Sequence, residues 1–299
     1  MSVLLAALID RWFGEPPPGV HPVAWMGRYL ARVGSRLPAY PPRVALLLGT
    51  IYWLTGAALV AVLYGYAGWV FSRLPLWLEI PLVALLLKPL FALSMLLGEV
   101  SAVERAVRQS VESGRERLAQ IVSRDTTQLD ADEIRESALE SLAENLSDSV
   151  VAPLFWFVLF GLPGAAVYRF ANTADAMWGY HGRWEWAGKF AARADDLLNL
   201  VPARLTAGAL LLPHWRLLPG LAPQARRTPS PNSGWPMTAL ALSLGVRLRK
   251  PGVYTLNEAG RSPTATDLPL ALQLVNRTAW IFVVLFAVCV LALRRVGHV

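Results

Sequence analysis

Apolar and polar positions fall in long blocks along this chain, and the blocks predict its elements. Val44 to Ser72 carries no Asp, Glu, Lys or Arg, and it exceeds the roughly 20 residues a helix needs to cross a bilayer. It predicts one transmembrane helix. Residues 76–98 predict a second, with Glu79 and Lys88 inside it. A charge at that depth must face protein or water, so Lys88-Pro89 predicts a break in the helix. Residues 99–150 are a polar, acidic section. Apolar pattern returns over 151–168, punctuated by Pro153, Gly161, Pro163 and Gly164, as a crossing helix or a broken, re-entrant pair. It returns again over 197–212, around Pro202 and Arg204, and over 278–293, flanked by Arg277, Arg294 and Arg295. Polar, aromatic or Pro-rich stretches separate these segments, including 213–236 and 247–276, with a small-residue helix at 237–246. The pattern predicts an all-α polytopic integral membrane protein. It has about four to five transmembrane helices, some broken or re-entrant, with amphipathic polar helices between them, and residues 1–299 form a single membrane-embedded domain.

One polar block departs from plain amphipathicity. Ile134, Ala138, Leu142 and Leu146 recur at i, i+4, and Leu139 and Ala143 widen the stripe to half a cylinder. The other side carries Glu133, Glu136, Glu140, Glu144 and Asp148. Like charges at i, i+4 repel by roughly 0.2–0.5 kcal/mol per pair. Either water solvates them or a cation compensates them. Asp130 with Glu133 reads as a capping box that starts the helix.

Composition supports the membrane assignment: 55% of the residues are hydrophobic and 16% charged, against about 25% charged in soluble domains. The single cysteine, Cys289, leaves disulfides no part in the fold, and four scattered histidines give no zinc spacing. A net charge of +7 suits anionic headgroups or anionic substrates. Twelve tryptophans suit interfacial belts. The positive-inside rule puts the Arg-rich segment 1–43 in the cytoplasm, the turn at Arg73 outside and 99–150 back inside, as expected for a multi-pass protein of the inner (cytoplasmic) membrane. The first residues show neither a basic n-region nor a cleavage site, so no signal peptide is expected.

The chain has no P-loop, no Rossmann glycine fingerprint and no nucleophile elbow. Four polar clusters remain. Ser123-Arg124-Asp125-Thr126 combines a cation, a carboxylate and hydroxyls, a set able to hold an anion beside a metal, or a loop salt bridge leading into the helix. Glu140, Glu144, Asn145 and Asp148 offer oxygen ligands of the kind Mg²⁺ takes. Asn172, Asp175, Tyr180, Arg193, Asp195, Asp196, Asn199 and Arg204 form a third group. Its members at one-turn spacing suit either a site or a polar contact within a bundle. The fourth, Arg226 to Pro236, has Ser230, Asn232, Ser233 and Gly234 between prolines. It reads as a phosphate nest of hydroxyls, an amide and free backbone N–H groups.

The stretches DRWFGEPPPGVHPVAWMGR (10–28), SRDT (123–126), ESALESLAENLSDSVVAPLFW (136–156), YRFANTADAMWGY (168–180), ARADDLLNLVPARLTA (192–207) and TPSPNSGWPMTALALSLGVRL (228–248) together resemble the adenosylcobinamide-phosphate synthase family of cobalamin biosynthesis, CobD/CbiB. The first of them departs from the family's usual Gly-Asp-Pro, reading Gly14-Glu15-Pro16, and keeps the carboxylate. The resemblance implies a ligase that joins adenosylcobyric acid to aminopropanol phosphate, or ethanolamine phosphate, through an amide bond. ATP as co-substrate and Mg²⁺ are expected with it. A carboxylate must be activated, most simply as an acyl phosphate, and the amine must lose a proton. On this reading Asp125, Glu140, Glu144, Asp175, Asp195 and Asp196 are the catalytic candidates, and Asp125, Glu144 and Asp148 the metal candidates. His21, Arg28, Arg124, Asn145, Asn172, Tyr180, Arg193, Arg204, Ser230, Asn232 and Trp235 are the substrate-binding candidates. Expected partners are the two substrates, the lipid bilayer and other late cobalamin-pathway membrane enzymes, with no nucleic acid. Two rival expectations are a non-catalytic membrane sensor related to AmpE-like proteins, and a transporter using Glu79, Lys88 and Arg204.

Overall fold

The computed structural model describes residues 1–295. In chain order the helices are α1 (Ser2–Phe13), α2 (Pro22–Gly34), α3 (Pro42–Phe71), α4 (Leu76–Leu87), α5 (Leu93–Val107) and α6 (Val111–Leu118). They continue as α7 (Ala131–Leu146), α8 (Ala152–Trp178), α9 (Lys189–Leu211), α10 (Leu218–Ala225), α11 (Gly234–Leu244) and α12 (Asp267–Arg295). A single antiparallel hairpin, β1 (Leu248–Lys250) and β2 (Tyr254–Leu256), interrupts them. Among the described residues, four helical stretches are long and apolar enough to cross a membrane: Pro42–Phe71, Leu76–Val107, Ala131–Trp178 and Asp267–Arg295. The protein is thus a helical, polytopic membrane protein.

The breaks fall where backbone chemistry requires them. α4 gives way to a 3₁₀ turn at Lys88–Leu90 before α5 begins. Pro89 lacks the N–H a continuing helix would need. α8 is kinked at Gly161, whose φ of 64° lies in the left-handed region. The last helix is longer than the apolar run 278–293: it starts at Asp267, inside the stretch read as polar. The Asp267 carboxylate accepts the Thr264 N–H (2.6 Å) and two hydrogen bonds from Arg261 (2.7 Å each), which fixes that start. The apolar run 197–212 lies in α9, which is not among the four candidate spans.

The chain forms two compact units. The first comprises Met1–Ala92, Ala152–Asn199 and the segment that begins at Val283; the second comprises Leu93–Val151 and Leu200–Phe282. In the first, α3 packs along α8, α2 along α8, and α1 along α4. Phe170 joins α2 and α3 through Tyr29 (6.2 Å between centroids) and Trp53 (5.9 Å). In the second, α7 is central, against α5, α6, α11 and β1. The capping box is present: Asp130 accepts the N–H groups of Asp132 and Glu133, and Glu133 reaches back to Asp130 N–H. The expected stripe of Ile134, Ala138, Leu139, Leu142, Ala143 and Leu146 is completely buried. Each Leu or Ile so buried contributes about 1.5–3 kcal/mol.

Candidate functional site

The second unit holds a polar cavity of about 330 Å³. Three separate sequence stretches and the hairpin wall it. Ile121 to Arg124 supply one side. Ser137, Glu140, Ser141, Glu144 and Asn145 supply another, their spacing of three, four, seven and eight residues placing them on one face of α7. Thr228, Pro229, Ser230 and Ser233 lead into α11, and Lys250 and Tyr254 face in from the two strands. The hairpin exists because Pro251 and Gly252 occupy the two central positions of a tight turn. Gly252 has φ 73°, and Val253 N–H donates to Lys250 C=O at 2.9 Å. Gly234 is required where the third wall meets α11. A Cβ there would lie 2.1 Å from Ala225 O and 2.5 Å from Thr228 Oγ1.

The charges are partly spent and partly open. Arg124 donates one Nη to Glu140 and the other to Ser137 Oγ (3.0 Å). Glu140 Oε1 is buried and meets no hydrogen-bond donor of good geometry among the described residues, with the Tyr254 hydroxyl beside the carboxylate. Burial, and then the neighbouring Glu140 charge, raise the Tyr254 phenol above its ordinary range. Ser230 Oγ accepts the N–H of Asn232 (3.2 Å) and of Ser233 (3.3 Å), which leaves its hydroxyl proton to donate. Lys250 lines the cavity and makes no ion pair within 4 Å among the described residues, although its charge acts on Glu140. Asn145 Nδ2 donates to Ser141 O (2.9 Å) and Ser149 Oγ donates to Asn145 Oδ1 (3.3 Å).

Several expectations are corrected. The N–H groups of Asn232 and Ser233 are not free for a phosphate nest, because Ser230 already occupies them. Cations do compensate the acidic face of α7, but they are the protein's own: Arg249 for Glu133 (3.5 Å) and Glu136 (3.3 Å), and Arg124 for Glu140. Asp125 is exposed and folded into a local turn, accepting Thr127 N (2.9 Å) and Oγ1 (2.8 Å), which lowers its carboxyl below the ordinary range. It does not line the cavity. Asp148 sits in the π-helical turn Ser147–Val151. No group of three His, Cys, Asp or Glu side chains among the described residues is placed to hold a metal ion, so Asp125, Glu144 and Asp148 are not brought together. Arg204 donates to Asn232 Oδ1 (2.9 Å) and Pro231 O (3.2 Å) and lies over the Trp235 ring (4.7 Å), tying α9 to the Pro-rich loop.

Apart from Arg204, the third cluster belongs to the first unit. Asn199 donates to Asp195 Oδ2 (3.0 Å) and accepts from Tyr168 (2.9 Å), and Asn172 donates to Asp195 Oδ1 (3.4 Å). Burial, reinforced by the charge of Asp175, raises the Asp195 carboxyl to about 7. Asp196 is also raised by burial, against the lowering effect of Arg193. Arg193 and Tyr180 are exposed, and Arg193 sits 3.8 Å from Asp196. His21 is on the same unit but in another network. It caps α2 through Val23 N–H (3.2 Å) and meets Glu15 (2.9 Å), which meets buried Lys88 (2.8 Å), itself 3.4 Å from Asp10. Arg28 is exposed on α2. Lys250 and Tyr254 were missed by sequence reasoning. Their signal was Pro251-Gly252 between short runs containing Leu248, Tyr254 and Leu256.

Fold and site define a multi-pass helical membrane protein with a polar, two-signed cavity walled by distant stretches of chain. The chain belongs to the CobD/CbiB family, whose model matches residues 3–289. A probable cobalamin biosynthesis protein CobD of Thermococcus kodakarensis is 43% identical over 287 residues, covering 94% of this chain and 93% of that one. Cobalamin biosynthesis protein CobD of Chromobacterium violaceum is 41% identical, covering 94% and 93%. The CobD of Dehalococcoides mccartyi is 36% identical, covering 98% of each. No solved structure matches the chain. These relatives place it among the proteins of cobalamin biosynthesis.

Proposed function

We propose that this chain forms the amide bond between adenosylcobyric acid and aminopropanol phosphate or ethanolamine phosphate, giving adenosylcobinamide phosphate, and that the cavity of the second unit binds the phosphate-bearing reactant. One observation carries the reading. Stretches more than a hundred residues apart converge on one polar cavity that brings together Arg124, Glu140, Glu144, Ser230 and Lys250, with Lys250 in no ion pair within 4 Å among the described residues. A polar surface left open in this way suits a charged ligand.

In this reading Lys250 and the Ser230 hydroxyl hold phosphoryl oxygens, with Ser123 beside them. Arg124, fixed by Ser137 and Glu140, orients the anion at the other wall. The donor set also fits Mg²⁺, which takes one or two carboxylates and keeps water and phosphate as its other ligands. Glu144 and the open Oε1 of Glu140 would hold it, with Asn145 nearby. Bound ATP would supply a phosphoryl group that makes the carboxylate a competent electrophile, leaving as phosphate when the amine forms the amide. An amine is protonated at neutral pH and must surrender that proton before it attacks. Asp195 suits the task by its raised pKa and stays a candidate in the first unit, with Asp175 and Asp196 around it. In this reading the arginines of segment 1–43 face the cytoplasmic side of the inner membrane, as the positive-inside rule expects.

Transport is less well supported. Glu79 is paired with Arg294 and Lys88 with Asp10 and Glu15, so neither charge is left for an ion path. A sensor would bind ligand without turnover. Purified protein incubated with adenosylcobyric acid, aminopropanol phosphate, ATP and Mg²⁺ is expected to yield the amide by mass spectrometry. Well-folded protein that binds the substrates and never forms it would end this proposal.

A further inference from the structure

Two cavities of the first unit share the α2–α3 seam, and the proposed reaction uses neither. One, of about 370 Å³, is polar and lined by Arg32, Val33, Ser35, Arg36, Tyr40 and Tyr52. The other, of about 320 Å³, is apolar and runs from Trp25 and Met26 on α2 to Leu59, Leu63 and Tyr64 on α3. They meet at one contact. Tyr29 lines the apolar cavity and donates its hydroxyl to the backbone carbonyl of Tyr52, which lines the polar one, at 2.8 Å.

Arg28, Arg32 and Arg36 follow at i, i+4, so α2 and the turn after it stack like charges. No carboxylate pairs with any of them among the described residues, whereas Glu79, Glu104 and Glu140 each have an arginine partner. Arg32 and Arg36 of this row line the polar cavity, and an uncompensated cationic pair there suits an anion from outside the protein.

The depth of the site says which kind. Gly49 on α3 meets the loop at Ala187, where Trp184 and Trp186 stand near Arg183 (5.8 Å) and Lys189 (4.4 Å). Twenty residues further along, Arg73 lies over Trp69 at 3.6 Å. Those aromatic–cationic pairs mark the two interfaces of a bilayer, since 20 helical residues span about 30 Å. The arginine cavity therefore sits at headgroup level and the apolar cavity at acyl depth, on a helix whose Leu59, Val62, Leu63 and Tyr66 are exposed.

We infer that the α2–α3 seam binds an anionic phospholipid, the phosphate held by Arg32, Arg36 and the Tyr40 and Tyr52 side chains, and one acyl chain lying in the Trp25–Leu63 groove. Both parts lie within one unit. The site is separate from the amide-forming cavity proposed above and does not depend on that reading.

The test is lipid retention by purified protein, read by native mass spectrometry after exchange from vesicles of phosphatidylcholine with phosphatidylglycerol into detergent. Wild-type protein is expected to keep about one phosphatidylglycerol and to discriminate against phosphatidylcholine. Arg32→Ala/Arg36→Ala should lower that retention roughly 30-fold, a factor of about five per cationic contact. Leu63→Trp, which fills the groove and leaves the arginines in place, should lower it as well. Both substitutions fall on exposed side chains, and unchanged thermal unfolding in detergent shows that the variants fold. Equal retention in wild type and the double variant would overturn the inference. So would displacement of the lipid by millimolar inorganic phosphate, because the site would then be taking a free phosphate rather than a lipid.

Discussion

The two units treat their buried charges in opposite ways. In the first, Asp195 is closed in by Asn172 and Asn199, and Lys88 lies between Asp10 and Glu15. These charges face one another across packed helices, as ion pairs and amide contacts, although Lys88 Nζ and Asp10 Oδ1 make no hydrogen bond of good geometry among the described residues. In the second, Arg124 and Glu140 pair at the wall of a cavity that also exposes Lys250, Glu144 and the Ser230 hydroxyl. Both arrangements look alike in sequence: carboxylates, arginines and amides beside apolar runs. What separates them is where the polar atoms face: into a packed contact between helices, or into a cavity. A closed network holds helices together at membrane depth, where an unpaired charge is costly. One that lines a cavity is placed to meet a ligand.

The largest expected effect tests the closed part of the open site. Glu140→Ala leaves Arg124 without its carboxylate in a largely buried place, and breaking such a pair costs about 3–5 kcal/mol. Thermal unfolding in detergent should show that loss, with activity falling too. If stability is unchanged, the pair is not the wall described here. Lys250→Ala should do the opposite. It should unfold like wild type and still lower kcat/KM by on the order of 100-fold, the scale of one lost charge contact in a transition state. Equal losses of stability and activity would make Lys250 structural.

Next in size is Gly234→Ala, where the added methyl meets Ala225 O at 2.1 Å and must move the backbone. Overpacking of that kind costs about 1–3 kcal/mol. The pH dependence of the first unit follows from Asp195. Its folded carboxyl is raised to about 7, while the unfolded chain ionises near 4. Across that window the folded state keeps a proton that the unfolded state has lost. Stability is therefore greatest below the lower pKa and falls as pH rises towards the upper one. Asp195→Asn should flatten this slope, and a slope unchanged in that variant would show that another group titrates. The smallest effect is expected at Arg193. At 3.8 Å from Asp196 and mostly exposed, it is worth no more than about 0.5 kcal/mol, so Arg193→Ala should leave the unfolding midpoint nearly unmoved.

Much of the fold was legible because the bilayer imposes it. The uncharged run Val44 to Ser72 became α3, and Lys88-Pro89 broke its helix as expected. The capping box at Asp130 and the buried stripe from Ile134 to Leu146 also follow from local pattern. Legibility ended where a polar residue finds its partner far along the chain. Nothing local says that Arg249 serves Glu136, or that Arg124 serves Glu140, so the acidic face of α7 looked free for metal when most of it was already paired. The Pro-rich loop shows the same limit: Ser230 takes the N–H groups that its spacing seemed to offer a phosphate. Conversely, Lys250 was hidden in a stretch read only as polar, although its Pro-Gly turn was in plain view.

The account rests on the cavity of the second unit being where the phosphate-bearing reactant binds. The most direct measurement is the dissociation constant of aminopropanol phosphate for wild-type protein and for Lys250→Ala, by calorimetry in detergent, beside amide formation by the same samples. Binding and turnover should fall together in the variant, with the unfolding midpoint kept. Wild-type binding and product formation by folded Lys250→Ala protein would contradict it.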